Sequence, residues 1–420
     1  MAKRSDGQNA IYSVRSLEEA KQIINAHDKK NLSSLLAHVF VSLTVRCVNI
    51  FIGILKFILF RNRALADINI KNIVIYTVGI VGDNVVLLPA LAAIRRKYHK
   101  AYITVISNCQ TWDDKGATEI LSPSSFKDRL IIIKDYPVER RGCKLIFNKH
   151  LFPNLECDLF INLSPFGNRG WIGAVIKEII FAYKIGASYA VGFHISSYSR
   201  KNYFNKVKHC FLQNEPRRSR GVLQALNIKP IEGEDLFEHD NLAKESVINK
   251  LCSRGWQEEP LFVINPGAKF APQCWPADRF GKIAKYLATT YGGVPIITGI
   301  SSEKTIADVV AQKAEAKVIN LAGLTSIQEL VELLRMAKAC ITNDTGTMHI
   351  AAMIGLPTVA VFSSRQSPTH WFPIGKKVIA LFCMMSCAFC YNDNCEKIDC
   401  LKMIEPHHVI QAMNTLLKEG

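Results

Sequence analysis

Acidic residues are scarce in this chain. Only 36 Asp and Glu stand against 52 Lys and Arg in 420 residues, which leaves a formal charge of +16. That imbalance favours anionic partners such as nucleic acid, acidic lipid or a phosphorylated ligand. Charged residues of both signs make up only 21%, against 49% hydrophobic, so a disordered chain is excluded and a core-forming one remains. There is no low-complexity tract, and no internal repeat beyond a loose symmetry of two halves. No zinc-finger, helix-turn-helix or aromatic-basic surface pattern accompanies the charge, so a nucleic-acid partner is not expected. Residues 1–30 are polar and mixed in charge, unlike a secretory signal, which points to the cytoplasm and to mostly reduced thiols. The length suits two domains.

What the chain does have is one long apolar run, Leu32 to Phe60, flanked by Lys29 and Lys30 and by Arg61 and Arg63. Its polar interruptions, Ser34, His38, Ser42, Arg46, Asn49, Gly53 and Lys56, step by three or four and form one helical stripe about 120° wide. Three placements fit: a helix in the headgroup plane, a membrane span, or a helix docked on protein. A span puts Arg46 near the bilayer centre, at a cost of about 2.5–3.5 kcal/mol. An in-plane helix leaves Arg46 and Lys56 in water and sinks the wide apolar face. Ten Lys and Arg against four Asp and Glu in residues 1–65 suit an anionic leaflet. The expectation is an amphipathic interface helix over 32–66, preceded by a polar, flexible segment over 1–31.

From Ile70 the pattern becomes alternating strand and helix. Strands are expected at Asn72–Val78, Ala101–Ser107, Leu130–Ile133, Asp158–Leu163 and Tyr189–Phe193, with helices at Asn84–Tyr98 and Ile172–Tyr183. Arg200 to Arg220 reads as a polar, basic break and a loop, and 235–258 as a link. A second series follows, with strands at Leu261–Asn265, Val294–Thr298, Val318–Leu321, Ala339–Thr342 and Thr358–Phe362, and an amphipathic helix at His407–Leu417. The fold class is α/β: two Rossmann-like, doubly wound domains, 67–240 and 241–420, facing a cleft at their strands' carboxyl ends.

The chemistry concentrates in the turns. Asn343-Asp344-Thr345-Gly346 opens a helix, where unpaired N–H groups and the dipole welcome a phosphate. There Gly346 admits close backbone approach, Thr345 offers a hydroxyl, and Asp344 can accept from sugar hydroxyls. In Gly79-Ile80-Val81-Gly82-Asp83, the carboxylate of Asp83 at a helix start is either a cap or a general base. After Asn265-Pro266-Gly267, Lys269 can pair with a phosphate or simply face solvent. Glu303, in a first helical turn, can bond a ribose diol or serve the helix dipole. Ala322-Gly323-Leu324 can form the backbone wall of a base pocket, and Trp275 is expected to pack.

Together, Gly82-Asp83 with Leu88-Pro89-Ala90-Leu91, Asn265-Pro266-Gly267, Trp275-Pro276 and Asn343-Asp344-Thr345-Gly346-x-Met348-His349-x-Ala351 resemble glycosyltransferase family 9. Its best-known members are the lipopolysaccharide heptosyltransferases. The resemblance runs over about 72–415 and implies a GT-B fold with inverting transfer and no metal or other cofactor. The donor, a nucleotide diphosphate sugar like ADP-heptose, would bind the C-terminal domain. The N-terminal domain would take a lipopolysaccharide-core or other lipid-linked glycan. By motif, Asp83 corresponds to the catalytic base; Asp344, Thr345, Gly346 and His349 fall in the donor motif, with Lys269, Glu303 and Leu324 also assigned to the donor. The lysine that family members often carry two residues before Trp-Pro is replaced here by Gln273, and Lys269 is the nearby substitute. Peripheral association with the cytoplasmic face of the inner membrane is the matching location. The alternative is a catalytically inactive, membrane-bound GT-B module, supported by Gln273 alone.

The loop 383–400 holds five of the thirteen cysteines. Cys387 and Cys390 have the spacing of a metal knuckle and Cys395 and Cys400 follow at looser spacings, compatible with structural zinc, with one or two disulfides, or with free packed thiols.

Overall fold

The computed structural model describes residues 10–28, 32–60, 69–108, 116–134, 137–141, 144–152, 154–164, 172–193 and 215–418. It divides into two compact units. One is Asp28–Glu232; the other joins Met1–His27 to Gly233–Gly420.

The chain enters the second of these units with β1 (Ala10–Val14) and α1 (Leu17–Asp28), then α2 (Leu32–Phe60) begins the first unit. That unit continues through β2 (Asn72–Tyr76), α3 (Val81–Val85), α4 (Leu88–Lys97), β3 (Tyr102–Asn108), α5 (Gly116–Leu121) and β4 (Arg129–Ile133). A hairpin, β5 (Val138–Arg141) and β6 (Lys144–Phe147), precedes β7 (Leu159–Asn162), α6 (Ile172–Lys184), β8 (Tyr189–Val191) and α7 (Glu215–Ala225). Among the described residues its parallel sheet runs β4-β3-β2-β7-β8. The central strands β2 and β7 are mostly apolar and buried because both faces are covered. On one face Phe160, Phe181, Ile179 and Tyr76 pack with Ile52 and Phe60 of α2.

The second unit adds α8 (Asn241–Cys252), β9 (Leu261–Asn265), α9 (Ala277–Tyr291), β10 (Val294–Ile297), α10 (Lys304–Ala314), β11 (Ile319–Asn320) and α11 (Ile327–Met336). It ends with β12 (Ala337–Asn343), α12 (Gly346–Met353), β13 (Thr358–Val361), β14 (Val378–Met384), α13 (Asp399–Lys402) and α14 (Pro406–Lys418). Its sheet runs β1-β14-β13-β12-β9-β10-β11, parallel except for β1. In each sheet the order reverses beside the unit's first parallel strand: between β2 and β7 in one, between β9 and β12 in the other. Both are doubly wound sheets, and such reversals open a crevice at the strands' carboxyl ends.

Four parts of this architecture differ from the sequence reading. Residues 10–27 are no loose polar segment: β1 pairs with β14 from Ala10 opposite Met384 to Val14 opposite Ala380. Val14, Leu17, Ala20 and Ile24 then bury against Phe362, Phe382 and Met348. Glu215–Ala225 is helical where a loop is expected, with Pro216 accommodated in the first turn; the rest of the basic break, 200–214, lies outside the described residues. The link near 235–258 contains α8, capped by the Asp240 side chain accepting from Ala243 N–H. Lys56, expected in water, is turned into the first unit with its ammonium 6.0 Å from the Phe193 ring centre, and burial lowers its pKa. The side chains of Ser34, His38 and Ser42 lie outside the described residues. Among the described residues, no helix is long and apolar enough to cross a membrane.

Candidate functional site

The second unit's crevice is built by three polar residues at the ends of β9 and β12. Asn343, fully buried, donates through Nδ2 to Pro266 O (2.8 Å) and Gly267 O (3.2 Å) and accepts from Trp275 N–H (3.1 Å). Asn265 donates to Thr298 O (3.1 Å) and accepts from the Thr345 hydroxyl (3.2 Å). Thr342 and Thr345 hydroxyls meet at 3.1 Å. The loops after β9, β10 and β12 are thereby fixed to one another at the mouth of the crevice. Thr345 stands in extended conformation immediately before α12, whose first residue is Gly346. The unpaired amides of that turn therefore open at the switch point.

Around this frame the residues expected to meet a donor take distinct positions. The Asp344 carboxylate accepts from Gln366 Nε2 at 3.2 Å, and burial pushes its pKa up to about 7 against the smaller pull of Gln366 and Arg365. His349, one turn into α12, is buried edge-on to Trp371; burial lowers its pKa to about 3, so it is neutral at physiological pH. Glu303 folds back on the turn after β10: its carboxylate accepts from Ile300 N–H at 2.9 Å and lies where a side chain on Gly267 would stand. Burial raises its pKa. Lys269 is exposed, its ammonium 5.5 Å from the Phe270 ring centre. Leu324 is exposed beyond Gly323, whose N–H donates to Gly299 O at 2.8 Å. Gln273 is buried beneath the loop, and Trp275 packs as expected, donating its indole N–H to Ile404 O at 2.8 Å.

The first unit's switch point carries Asp83. It is buried in the short helix α3, and Oδ2 accepts from Ile80 N–H at 2.7 Å. A side chain on Gly79 would overlap this carboxylate, so the glycine is required by close approach. Gly79-Ile80-x-x-Asp83 and Gly299-Ile300-x-x-Glu303 thus use one device, an acid turning back onto the amide three residues earlier. The capping that the sequence allows for Asp83 is present. Across the switch point, buried Asn162 donates to Glu178 (2.6 Å) and accepts from Ser164 N–H (3.1 Å).

The cysteine-rich loop packs against the residues that leave β13 and β14, with Phe389 N–H donating to Ser364 O and Tyr391 N–H to Arg365 O. Among the described residues, no three His, Cys, Asp or Glu side chains are arranged to hold a metal ion. Cys383, Cys387, Cys390, Cys395 and Cys400 are unbridged. Burial pushes the Cys383 thiol up to about 11 and raises those of Cys387 and Cys400. Sequence reasoning missed Arg365, buried in the loop after β13. Its guanidinium lies 4.6 Å from the Phe270 ring centre and pairs with Asp393 of the cysteine-rich loop.

Residues 225–399, which contain this whole frame, match the model of glycosyltransferase family 9 (heptosyltransferase). That stretch is similar to a family 9 domain. Lipooligosaccharide heptosyltransferase 2 of Haemophilus influenzae is 32% identical over 125 residues, 29% of this chain and 36% of that protein. The chain thus spans about a third of that relative's length at this similarity. Its counterpart in Campylobacter jejuni is 25% identical over 280 residues, 64% of this chain and 85% of that one. The solved structure of Escherichia coli ADP-heptose lps heptosyltransferase II overlays with a TM-score of 0.58 at 17% identity, covering 83% of this chain and 99% of that one. The fold around the stretch that matches family 9 is GT-B, as expected.

Proposed function

We propose that this protein is an inverting, metal-independent glycosyltransferase that moves a heptose from an ADP-heptose-like donor to a lipopolysaccharide-core or other lipid-linked acceptor. The observation that carries the reading is the switch point of the stretch that matches family 9, where Thr345 and the first amides of α12 are held by Asn343 and Asn265. A leaving diphosphate gains charge as the sugar departs, and prearranged amide dipoles stabilise that charge without reorganising. Thr345 and Gly346 hold the diphosphate, Lys269 answers its outer charge, and Asp344 meets sugar hydroxyls. Glu303 addresses the ribose, and Leu324 closes the base pocket. His349, neutral, packs under the site. Asp83 takes the proton of the acceptor hydroxyl; its bond to Ile80 keeps the carboxylate oriented.

The helix α2 supports work at an anionic membrane surface. Ile52 and Phe60 are buried in the first unit, while Ile50, Phe51, Ile54, Phe57 and Ile58 are exposed along another face, with Arg46 also exposed. A helix that packs on protein through one side and shows five large apolar residues on another suits a headgroup layer.

The test is ADP release from ADP-heptose in the presence of acceptor. The wild type is expected to turn over with or without chelator, and folded Asp83→Asn to be slower by about 10²- to 10⁴-fold. A wild type that binds the donor and never releases ADP would instead select the inactive binding module.

A further inference from the structure

The stretch that matches family 9 holds a buried cation whose hydrogen bonding is incomplete. Arg365 is 7% exposed, on the loop that leaves β13. Three elements fix it: Phe270 beneath its guanidinium, Asp393 paired with it, and Tyr391 N–H donating to its carbonyl at 2.9 Å. Its Nε is buried and, among the described residues, has no hydrogen-bond partner. A guanidinium donor sealed from water without an acceptor costs free energy unless a ligand completes it. The neighbouring Gln366 bonds Asp344, two residues before α12, and the charge of Arg365 acts on that carboxylate. The cation therefore stands beside the turn whose amides suit a phosphate.

Phe270 carries Lys269 next to it, so one aromatic ring lies within reach of two cations. The two are not equivalent. Lys269 is an exposed point charge, whereas Arg365 is a planar fork whose Nη2 is already paired with Asp393. Gln273, buried and uncharged, supplies nothing of the kind. We propose that Arg365 is a donor-binding residue: its unpartnered Nε–H donates to the diphosphate of the nucleotide sugar, with Phe270 and Asp393 as positioning residues. This deepens the proposed sugar transfer and rests on it. It also gives the cysteine-rich loop a task, since that loop supplies the carboxylate that orients the guanidinium.

Calorimetric titration of the full chain with ADP and with adenosine tests the assignment. Arg365→Gln is expected to weaken ADP by about 10- to 100-fold, the range for losing a charge-assisted hydrogen bond, and to leave adenosine within about twofold. Arg365→Lys keeps the charge without the fork and should lie between; Asp393→Asn should shift ADP alone and by less. An ADP affinity unchanged in a folded Arg365→Gln protein overturns the inference and leaves sugar transfer standing, as does an equal fall for both ligands, which marks a merely structural arginine. If Arg365→Gln does not fold, Arg365→Lys and Asp393→Asn decide by the same ADP-to-adenosine comparison. A wild type that binds neither ligand overturns both readings.

Discussion

Asn343 is the residue on which the switch point closes. It is fully buried and uses its amide to join Pro266, Gly267 and Trp275. Asn343→Asp would set a carboxylate oxygen against two carbonyls, and each unsatisfied buried group costs about 1–3 kcal/mol. We expect chemical denaturation of this variant to show a loss of that size or larger for the second unit. Asp344 makes a different prediction. Burial raises its carboxyl from 3.8 to about 7 in the folded chain. The stability tied to the protonated form is therefore complete below about pH 4 and is lost as pH rises through 7. Asp344→Asn should gain stability over the wild type at pH 8 and much less at pH 5, by roughly a few kcal/mol at most. Parallel melting curves at the two pH values would contradict it. At this scale the turns were readable because Asn, Asp, Thr and Gly after an apolar strand have few other uses. Arg365 was not, since Ser-Ser-Arg-Gln looks like an exposed loop until Phe270 and Asp393 arrive from distant parts of the chain.

At the scale of elements, β1 and α1 belong to a sheet whose other strands come more than two hundred residues later. Leu17 is 2% exposed in that packing. Leu17→Ala should cost about 2–5 kcal/mol, and hydrogen exchange should speed up in β14. Five residues such as Ala10–Val14 carry no signal of their own, because the strand exists only through its ladder to Val378–Met384. The helix α2 was readable as a helix from its period, but its faces were not. The polar stripe was assigned to water, whereas Lys56 lies against Phe193 and apolar residues face outward. Phe51→Glu and Phe57→Glu remove exposed rings, so melting should be unchanged. Binding to anionic vesicles should fall by about tenfold or more for each, given roughly 1.5–3 kcal/mol for sinking a phenylalanine. Loss of folding with no loss of vesicle binding would count against the membrane reading.

The whole molecule is two doubly wound units strung so that the N-terminal strand returns to the C-terminal sheet. The α/β alternation made both sheets legible, because strands buried on two faces are nearly all apolar and their helices are amphipathic. Strand order was not legible, and it is strand order that creates the switch points and hence the site. The central claim is that a nucleotide diphosphate binds the switch point between β9 and β12. Hydrogen exchange with and without saturating ADP tests it most directly, since a ligand that binds the native state slows opening where it binds. The account predicts slowed amides at 267–270, 299–303, 344–350 and 363–366. Slowing confined to Asp28–Glu232, or none anywhere, would contradict it.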